Sequence, residues 1–439
     1  MQAASDLDEV RNCFHDTVAL ARNAPERADP SWAGHAADAC RERVADEAES
    51  ARKFAFELED VADTLRTVGR RLEFAKVAAE NAAVDIENDP HGLVVHDDWA
   101  VNISPMALIP TSETDPEKVR QAMIERQEQM DAAVRFLVDE DAACAQLVTE
   151  AMTRAANAGR RLDQAAAFER ATGRLPETPA DWLTASMLDP TSEAEKNQGV
   201  EATVVMGRIA AVPGGGVVRT ELYIPVDDVF NFRLMPPDVE YDLGDSRGTS
   251  PESTVGDARV ELVIDYENGV IVARQNPTVT VEGGVRVGSP SVDVQQLDNG
   301  DVRVHYEGVN PYAPGGGEPA HKVTGEIVVS VADGHPRVGG VVGAYPSLEI
   351  YHHREDGQVS PLAIEEARNR SAAGPFLDLP ISRDVGDPRM LRPFKDLSSP
   401  EPAPFELGPG SPGHPGETRL GGVDDGVVIP TISPQTQGR

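Results

Sequence analysis

Apolar residues recur at alternating three- and four-residue spacing through the first 86 positions of the chain. A short stripe of this kind runs from Leu7 to Ala21, and a longer one runs from Ala37 to Ile86 with one break at Glu47. A repeat of about 3.5 residues keeps one face of a helix turned toward a partner helix. The pattern therefore predicts two helices that pair as a coiled-coil hairpin. The central seam residues, which we expect to contact a partner, are Leu58, Val61, Leu65, Val68 and Leu72.

The break between the two stripes carries the signals of a helical turn. Asp29-Pro30-Ser31 ends the first helix, because proline disrupts a helix interior, and Ser31 can cap the next one. Trp32 and Gly34 follow directly. We expect the Trp32 ring to fold over the ends of both helices, which would bury on the order of 200 Å². Glycine at position 34 would let the backbones approach closely.

A helical hairpin with Trp32-Ala33-Gly34 at its turn resembles the WxG family of helical substrates of actinobacterial type VII (ESX-type) secretion. The resemblance covers residues 5–86 and implies an export and partner-binding module. The family's secretion signal, Tyr-x-x-x-Asp/Glu just after the second helix, is not found there. Phe56-x-x-x-Asp60 is a degenerate match in mid-helix, where we expect a core phenylalanine and a solvated aspartate. A partner would then supply the missing half of a bipartite signal.

A third long helix is predicted over residues 115–175. Asp115-Pro116 is a typical helix start, and apolar positions recur at helical spacing to about Thr172. The second helix is much longer than the first, so its far half needs another neighbour. Pairing the third helix with it gives an elongated three-helix bundle made of the hairpin, 1–87, a linker, 88–114, and the third helix, 115–175.

A β domain is predicted from residue 199, where the apolar period changes from 3.6 to 2. Turns such as Glu267-Asn268-Gly269 favour tight hairpins. The overall class is α+β, with an antiparallel barrel or sandwich over 199–356 after a linker, 176–198. The Pro/Gly-rich acidic tail, 357–439, is expected to be mostly disordered. The predicted strands are 202–212, 217–225, 258–266, 270–275, 278–282, 291–297, 302–306, 323–331 and 348–352.

Two phrases of this β region, residues 263–277 and 344–351, resemble an uncharacterised mycobacterial family. The resemblance implies no activity, so the ligand of the β domain stays open.

Charge and cysteine usage narrow the classes of partner. Forty basic against 74 acidic residues give a net charge of −34, which argues against nucleic acid or anionic lipid as a partner. No apolar run is long enough for a transmembrane segment, and the N-terminus lacks the basic and apolar regions of a Sec signal. Cys13, Cys40 and Cys144 fit neither a disulfide framework nor a zinc site, and we expect them to be small buried apolar residues. No cofactor is predicted.

Gly244-Asp245-Ser246-Arg247-Gly248 matches the Gly-x-Ser-x-Gly pattern of serine hydrolases. That motif works at a turn between a strand and a helix. Here the surroundings predict antiparallel strands, so we interpret the segment as a polar surface loop.

Four carboxylates lie close together in the sequence, and calcium prefers such oxygen ligands. They are Asp238, Glu240, Asp242 and Asp245. The EF-hand spacing fails, because Gly244 falls one place late and Thr249 stands where a bidentate glutamate belongs. The alternative is a solvated acidic loop. His352 and His353 are expected on opposite faces of a strand and so cannot share a metal.

The sequence favours a non-enzymatic, type VII secretion-associated protein that is exported to the medium or the envelope without a signal peptide. Its helical bundle would bind a protein partner, such as a small helical secretion partner or chaperone, and its β domain would be a recognition module. Two alternatives stay open: an exported toxin or enzyme with its activity in the β domain, and a cytoplasmic adaptor that oligomerises through the coiled coil.

Overall fold

The computed structural model describes residues 2–22, 34–105, 115–191, 195–231, 240–309, 322–331, 334–344, 346–368, 381–395, 418–423 and 429–435. The chain divides into two compact units, Met1–Leu162 and Asp163–Arg439. The first is mainly helical and the second is built mainly from antiparallel sheets. The predicted α+β class is confirmed.

Long helices dominate the first unit: α1 (Gln2–Arg22), α2 (His35–Glu87) and α3 (Pro116–Thr172), the last of which continues into the second unit. α1 and α2 are antiparallel. The Phe14 ring meets the Phe54 ring edge-on at 5.5 Å between centroids, and Arg11 pairs with Glu59 at 3.1 Å. These contacts match the two apolar stripes, although Val10 of the first stripe is exposed.

α2 also packs antiparallel against α3. Arg71 pairs with Glu140 at 2.8 Å, while Phe54, nearer the start of α2, meets Gly159 toward the end of α3. A Cβ at Gly159 would lie 3.2 Å from the Phe54 ring, so glycine allows this close approach. Small side chains such as Ala75 are fully buried along the same contact. The predicted pairing of the second and third helices is therefore present.

A small β-hairpin packs at the end of α2, formed by β1 (Leu93–Val95) and β2 (Val101–Ile103). Leu93 and Val101 join Ile86 and Met130 in one buried apolar cluster. Gln127 of α3 accepts a hydrogen bond from the Val101 amide at 2.7 Å. The predicted linker 88–114 thus contains an ordered cap on the helices, while residues 106–114 lie outside the described ranges.

The second unit contains most of the strands. They are β3 (Thr203–Arg208), β4 (Val217–Tyr223), β5 (Asp228–Asn231), β6 (Glu240–Leu243), β7 (Val260–Asp265), β8 (Val270–Gln275), β9 (Thr278–Val279), β10 (Val285–Arg286), β11 (Ser291–Gln296), β12 (Val302–Val309), β13 (Lys322–Ser330), β14 (Arg337–Gly343), β15 (Ser347–His353), β16 (Val359–Glu365), β17 (Ser382–Gly386), β18 (Thr418–Arg419) and β19 (Gly421–Gly422). One sheet has seven strands in the order β16-β15-β4-β7-β8-β3-β19, and another has six in the order β17-β14-β13-β12-β11-β18.

Both large sheets contribute to one apolar core. Leu262 of β7 and Ile350 of β15 belong to the same buried cluster as Val304 of β12 and Val329 of β13. Every pair of named strands is antiparallel, and neither sheet closes into a barrel within the described residues. The Asn268-Gly269 turn joins β7 to β8 with Gly269 at φ 64°, as the Asn-Gly signal predicts.

A short helix, α4 (Pro179–Leu188), covers the other face of the seven-stranded sheet. Thr178 and Asp181 form a reciprocal capping box at its start. Met187 is fully buried in a cluster that contains Val263 of β7 and Val272 of β8. The predicted linker 176–198 therefore contains a buried structural helix.

β structure also extends beyond the predicted limit at residue 356. β16 pairs with β15, β17 pairs with β14, and the short strands β18 and β19 extend the two sheets. A further turn of helix, α5 (Arg392–Lys395), buries Phe394. The described parts of 357–439 thus belong to the β fold rather than to a disordered tail.

Candidate functional site

Gly34 of the turn motif begins α2 in a conformation that favours glycine. It lies at φ 102° and ψ −177°, and its carbonyl accepts the amides of Ala37 and Asp38 at 2.9 and 3.1 Å. A Cβ at this position would meet no atom within 4 Å. The requirement for glycine is therefore a matter of backbone conformation, not of close packing as expected. Trp32 lies outside the described residues.

The predicted seam lies inside the helical bundle. Val61 and Val68 are buried, and Leu58, Leu65 and Leu72 are half-buried. Val61 and Leu65 cluster with apolar residues of both α1 and α3. Farther along α2, where a partner was expected to cover the seam, Ile86 is already fully buried. A role of the seam in binding a partner stays a prediction, and in this structure the chain's own elements cover it.

Four large apolar side chains are instead exposed on α2 and α3: Phe56 (61%), Phe74 (69%), Phe136 (42%) and Leu147 (39%). Phe56 and Phe74 are about five helical turns apart, and Phe136 and Leu147 about three, so each pair lies on one side of its helix. The rings of Phe74 and Phe136 meet edge-on at 6.4 Å, which places the two sides together. We call these four residues the apolar flank. Phe56, expected in the core, is on the surface.

Ion pairs between α2 and α3 accompany the apolar flank. Arg71 and Glu140 are each one helical turn from the Phe74–Phe136 pair, and they are 2.8 Å apart. Asp60, one turn from Phe56, pairs with Arg154. These charges are already matched within the chain, so the surface that a partner would meet is mainly aromatic and aliphatic.

A second group of residues, in the β unit, concentrates buried charge on the face of the seven-stranded sheet that lies opposite the shared core. Arg219 and Glu221 come from β4, Glu261 from β7 and Glu349 from β15, and all four are at most 3% exposed. Arg219 bonds to both Glu221 and Glu261. The loop that follows β6 covers this face, and the Arg247 guanidinium lies 4.1 Å from the centre of the Tyr223 ring.

Glu221 is electrostatically the most perturbed member of this group. Burial raises its pKa to about 8, and the neighbouring Glu261 carboxylate raises it further, whereas Arg219 and Arg247 act in the opposite direction. A carboxyl group with such a pKa changes its charge near neutral pH. Sequence alone could not identify it, because alternating charges on a strand normally indicate a solvated face.

The structure does not assemble the predicted calcium site. Asp245 is occupied by the chain itself, because it pairs with Lys196 at 2.9 Å and accepts the Ile224 amide at 2.7 Å. Asp242 is buried, the side chain of Glu240 is not described, and Asp238 lies outside the described residues. Within the described ranges no cluster of three His, Cys, Asp or Glu side chains could hold a metal ion.

Ser246 is exposed, as the prediction of a polar loop requires. It follows β6 at φ 50°, and its hydroxyl donates to Asp227. The next described elements are turns and then β7, so the strand-to-helix context of a hydrolase motif is not formed.

Other candidate groups have mainly structural surroundings. Tyr306 and Tyr351 are buried, which leaves neither for an exposed aromatic recognition face. His352 lies with its Nε2 3.0 Å from the Gly215 carbonyl. Burial lowers the pKa of His353 to about 4, and Arg219 and His352 lower it further. Cys13 is exposed rather than buried as expected, whereas Cys144 is buried.

Comparison of the chain with protein-family models finds no matching family, and comparison with curated proteins finds no matching relative. No helix in the described part of the chain has both the length and the apolar composition needed to cross a membrane.

Proposed function

We propose that the chain is a non-enzymatic protein of a type VII secretion route, in which the helical unit binds a partner for export and the β unit is a recognition module. In this proposal the two facing sheets of the β unit form a sandwich. The apolar flank is the observation that carries the proposal. An exposed aromatic surface on a bundle with an otherwise filled seam is typical of a protein contact.

The turn motif supports the same proposal. Gly34 has the glycine conformation at the start of a helix that packs antiparallel on its predecessor, as a Trp-x-Gly hairpin requires. The partner would lay an apolar helix along the groove between α2 and α3 and would bury Phe74 and Phe136. Aromatic anchors of this kind commonly dominate the binding energy of protein interfaces.

Affinity capture from an actinobacterial host tests the partner-binding step. With the full-length chain as bait, Phe74→Asp should lower recovery of the bound helical partner at least tenfold, because a charge would be buried against an apolar helix. Val138→Asp is the matched control, since Val138 is equally exposed (59%) but lies on another side of α3.

Equal recovery with wild type and Phe74→Asp would remove the apolar flank from the interface. Equal loss with both aspartate variants would indicate a general effect of added charge rather than a defined surface. Capture of only a second copy of the chain would favour the adaptor alternative.

A further inference from the structure

One covalently continuous segment, residues 247–256, closes the charged face of the seven-stranded sheet. We call it the strap. Ser253 donates its hydroxyl to Glu221 Oε2 at 2.6 Å, the Ser250 amide donates to Glu349 Oε2 at 3.0 Å, and the Gly256 amide donates to Glu261 Oε2 at 3.0 Å. Each buried glutamate of the face therefore has a donor from the strap.

Charged contacts reinforce this attachment. Arg247 of the strap bonds to Glu349 Oε1 and lies 3.5 Å from Glu221 Oε1. In the opposite direction, Arg219 of the sheet donates to the Ser253 carbonyl at 2.7 Å. The strap is thus held mainly by polar contacts, whose strength depends on the charges beneath it.

We propose that the strap is a pH-sensitive latch, closed while Glu221 carries its proton and released when Glu221 ionises. An ionised carboxylate that is fully buried gains free energy from hydration. Water can reach Glu221 most directly by displacement of Ser253 and Arg247, because both belong to a surface segment, whereas its other neighbours belong to the sheet. This device is independent of partner binding by the helical unit.

The groups around Glu221 come from four elements. They are Arg219 and Tyr223 of β4, Glu261 of β7, Arg274 of β8, Glu349, Tyr351 and His353 of β15, and Arg247 of the strap. The pKa of Glu221 is about 8 because of its burial. His353 is neutral above pH 6, since burial lowers its pKa to about 4, and burial also raises the pKa of Tyr351. Glu221 therefore changes its charge between pH 6.5 and 9 while these two neighbours do not.

Hydrogen exchange of the full-length chain tests the latch. The amides of Ser250 and Gly256 report closure directly, because they donate to the sheet. After correction for the intrinsic pH dependence of exchange, their protection should fall by about tenfold or more between pH 6.5 and pH 8, following the linkage of one pKa unit to a tenfold change. Glu221→Gln, which cannot ionise and keeps the shape of the side chain, should abolish this fall.

Glu252→Gln is the matched control, because it removes an exposed carboxyl of the strap itself and should leave the fall unchanged. The same pH-dependent loss of protection in Glu221→Gln would overturn the proposal, as would constant protection in the wild type. If Glu221→Gln does not fold, the wild-type profile still decides, because the latch requires the strap amides to lose protection before those of the neighbouring strands β4 and β7.

Discussion

At the residue scale, burial determines the chemistry of the charged side chains. Glu221 and Asp181 are both buried carboxyls with arginine neighbours, yet their pKa values shift in opposite directions. Burial alone would raise the pKa of Asp181, but hydrogen bonds from Arg174 and from the amides of Thr178 and Glu177 lower it to about 2. Glu221 shares its arginine with another glutamate, so its burial is not offset.

This difference predicts a pH dependence of global stability. Unfolded Glu221 would ionise near its ordinary pKa of 4.5, whereas the folded group keeps its proton to about pH 8. Its favourable contribution is therefore complete below pH 4.5 and is lost as pH rises to 8. The lowered pKa values of His352 and His353 oppose this trend only below about pH 6.5.

The free energy of unfolding of the wild type should accordingly fall by about 1–2 kcal/mol between pH 6.5 and 8 relative to that of Glu221→Gln. Denaturant unfolding at several pH values, followed by β-type circular dichroism, measures it. Parallel pH profiles for the two proteins would contradict the assignment of the shift to Glu221.

At the element scale, the sequence predicted those elements whose apolar spacing is regular. The long helices and most central strands were found, because packing on one face imposes a period on the sequence. β14 was missed because Gly339 and Gly340 interrupt its pattern, although both are needed: a Cβ at either would lie about 2 Å from a backbone carbonyl oxygen. α4 was missed because it is short, yet the Thr178-Pro179-x-Asp181 cap was a usable signal.

The candidate surfaces were less predictable than the elements. The apolar flank depends on which side of α2 is left open after α1 and α3 have packed, and a single sequence does not contain that information. The strap depends on a loop returning over a sheet face from 25 or more positions away, as in the Arg219–Ser253 contact. Loop paths of this kind carry no periodic signal.

The start of α2 gives a prediction at this scale. Gly34→Ala should destabilise the helical unit by roughly 1–3 kcal/mol, because alanine rarely adopts φ 102° with ψ near 180°. Gly69→Ala is the matched control. Gly69 is inside α2 with open space around it, so alanine there should stabilise the helix by about 1 kcal/mol. Chemical denaturation followed by helical circular dichroism distinguishes the two, and equal effects would show that Gly34 is not conformationally required.

At the scale of the whole molecule, the two units have different kinds of surface. The helical unit exposes an apolar flank, while the β unit buries its charged face beneath its own chain. This division of labour favours a helical module that contacts a partner and a β module that is carried with it. The central claim is that the helical unit is the part that determines export.

The most direct test of that claim compares two chains in an actinobacterial host with an inducible type VII system. The full-length protein should accumulate outside the cells on induction, and a chain limited to residues 163–439 should stay inside, because it lacks the Trp-x-Gly hairpin and the apolar flank. Immunoblots of medium, envelope and cytosol measure the distribution. Retention of both chains, or export of both, would contradict the account, and retention of both would favour the cytoplasmic adaptor.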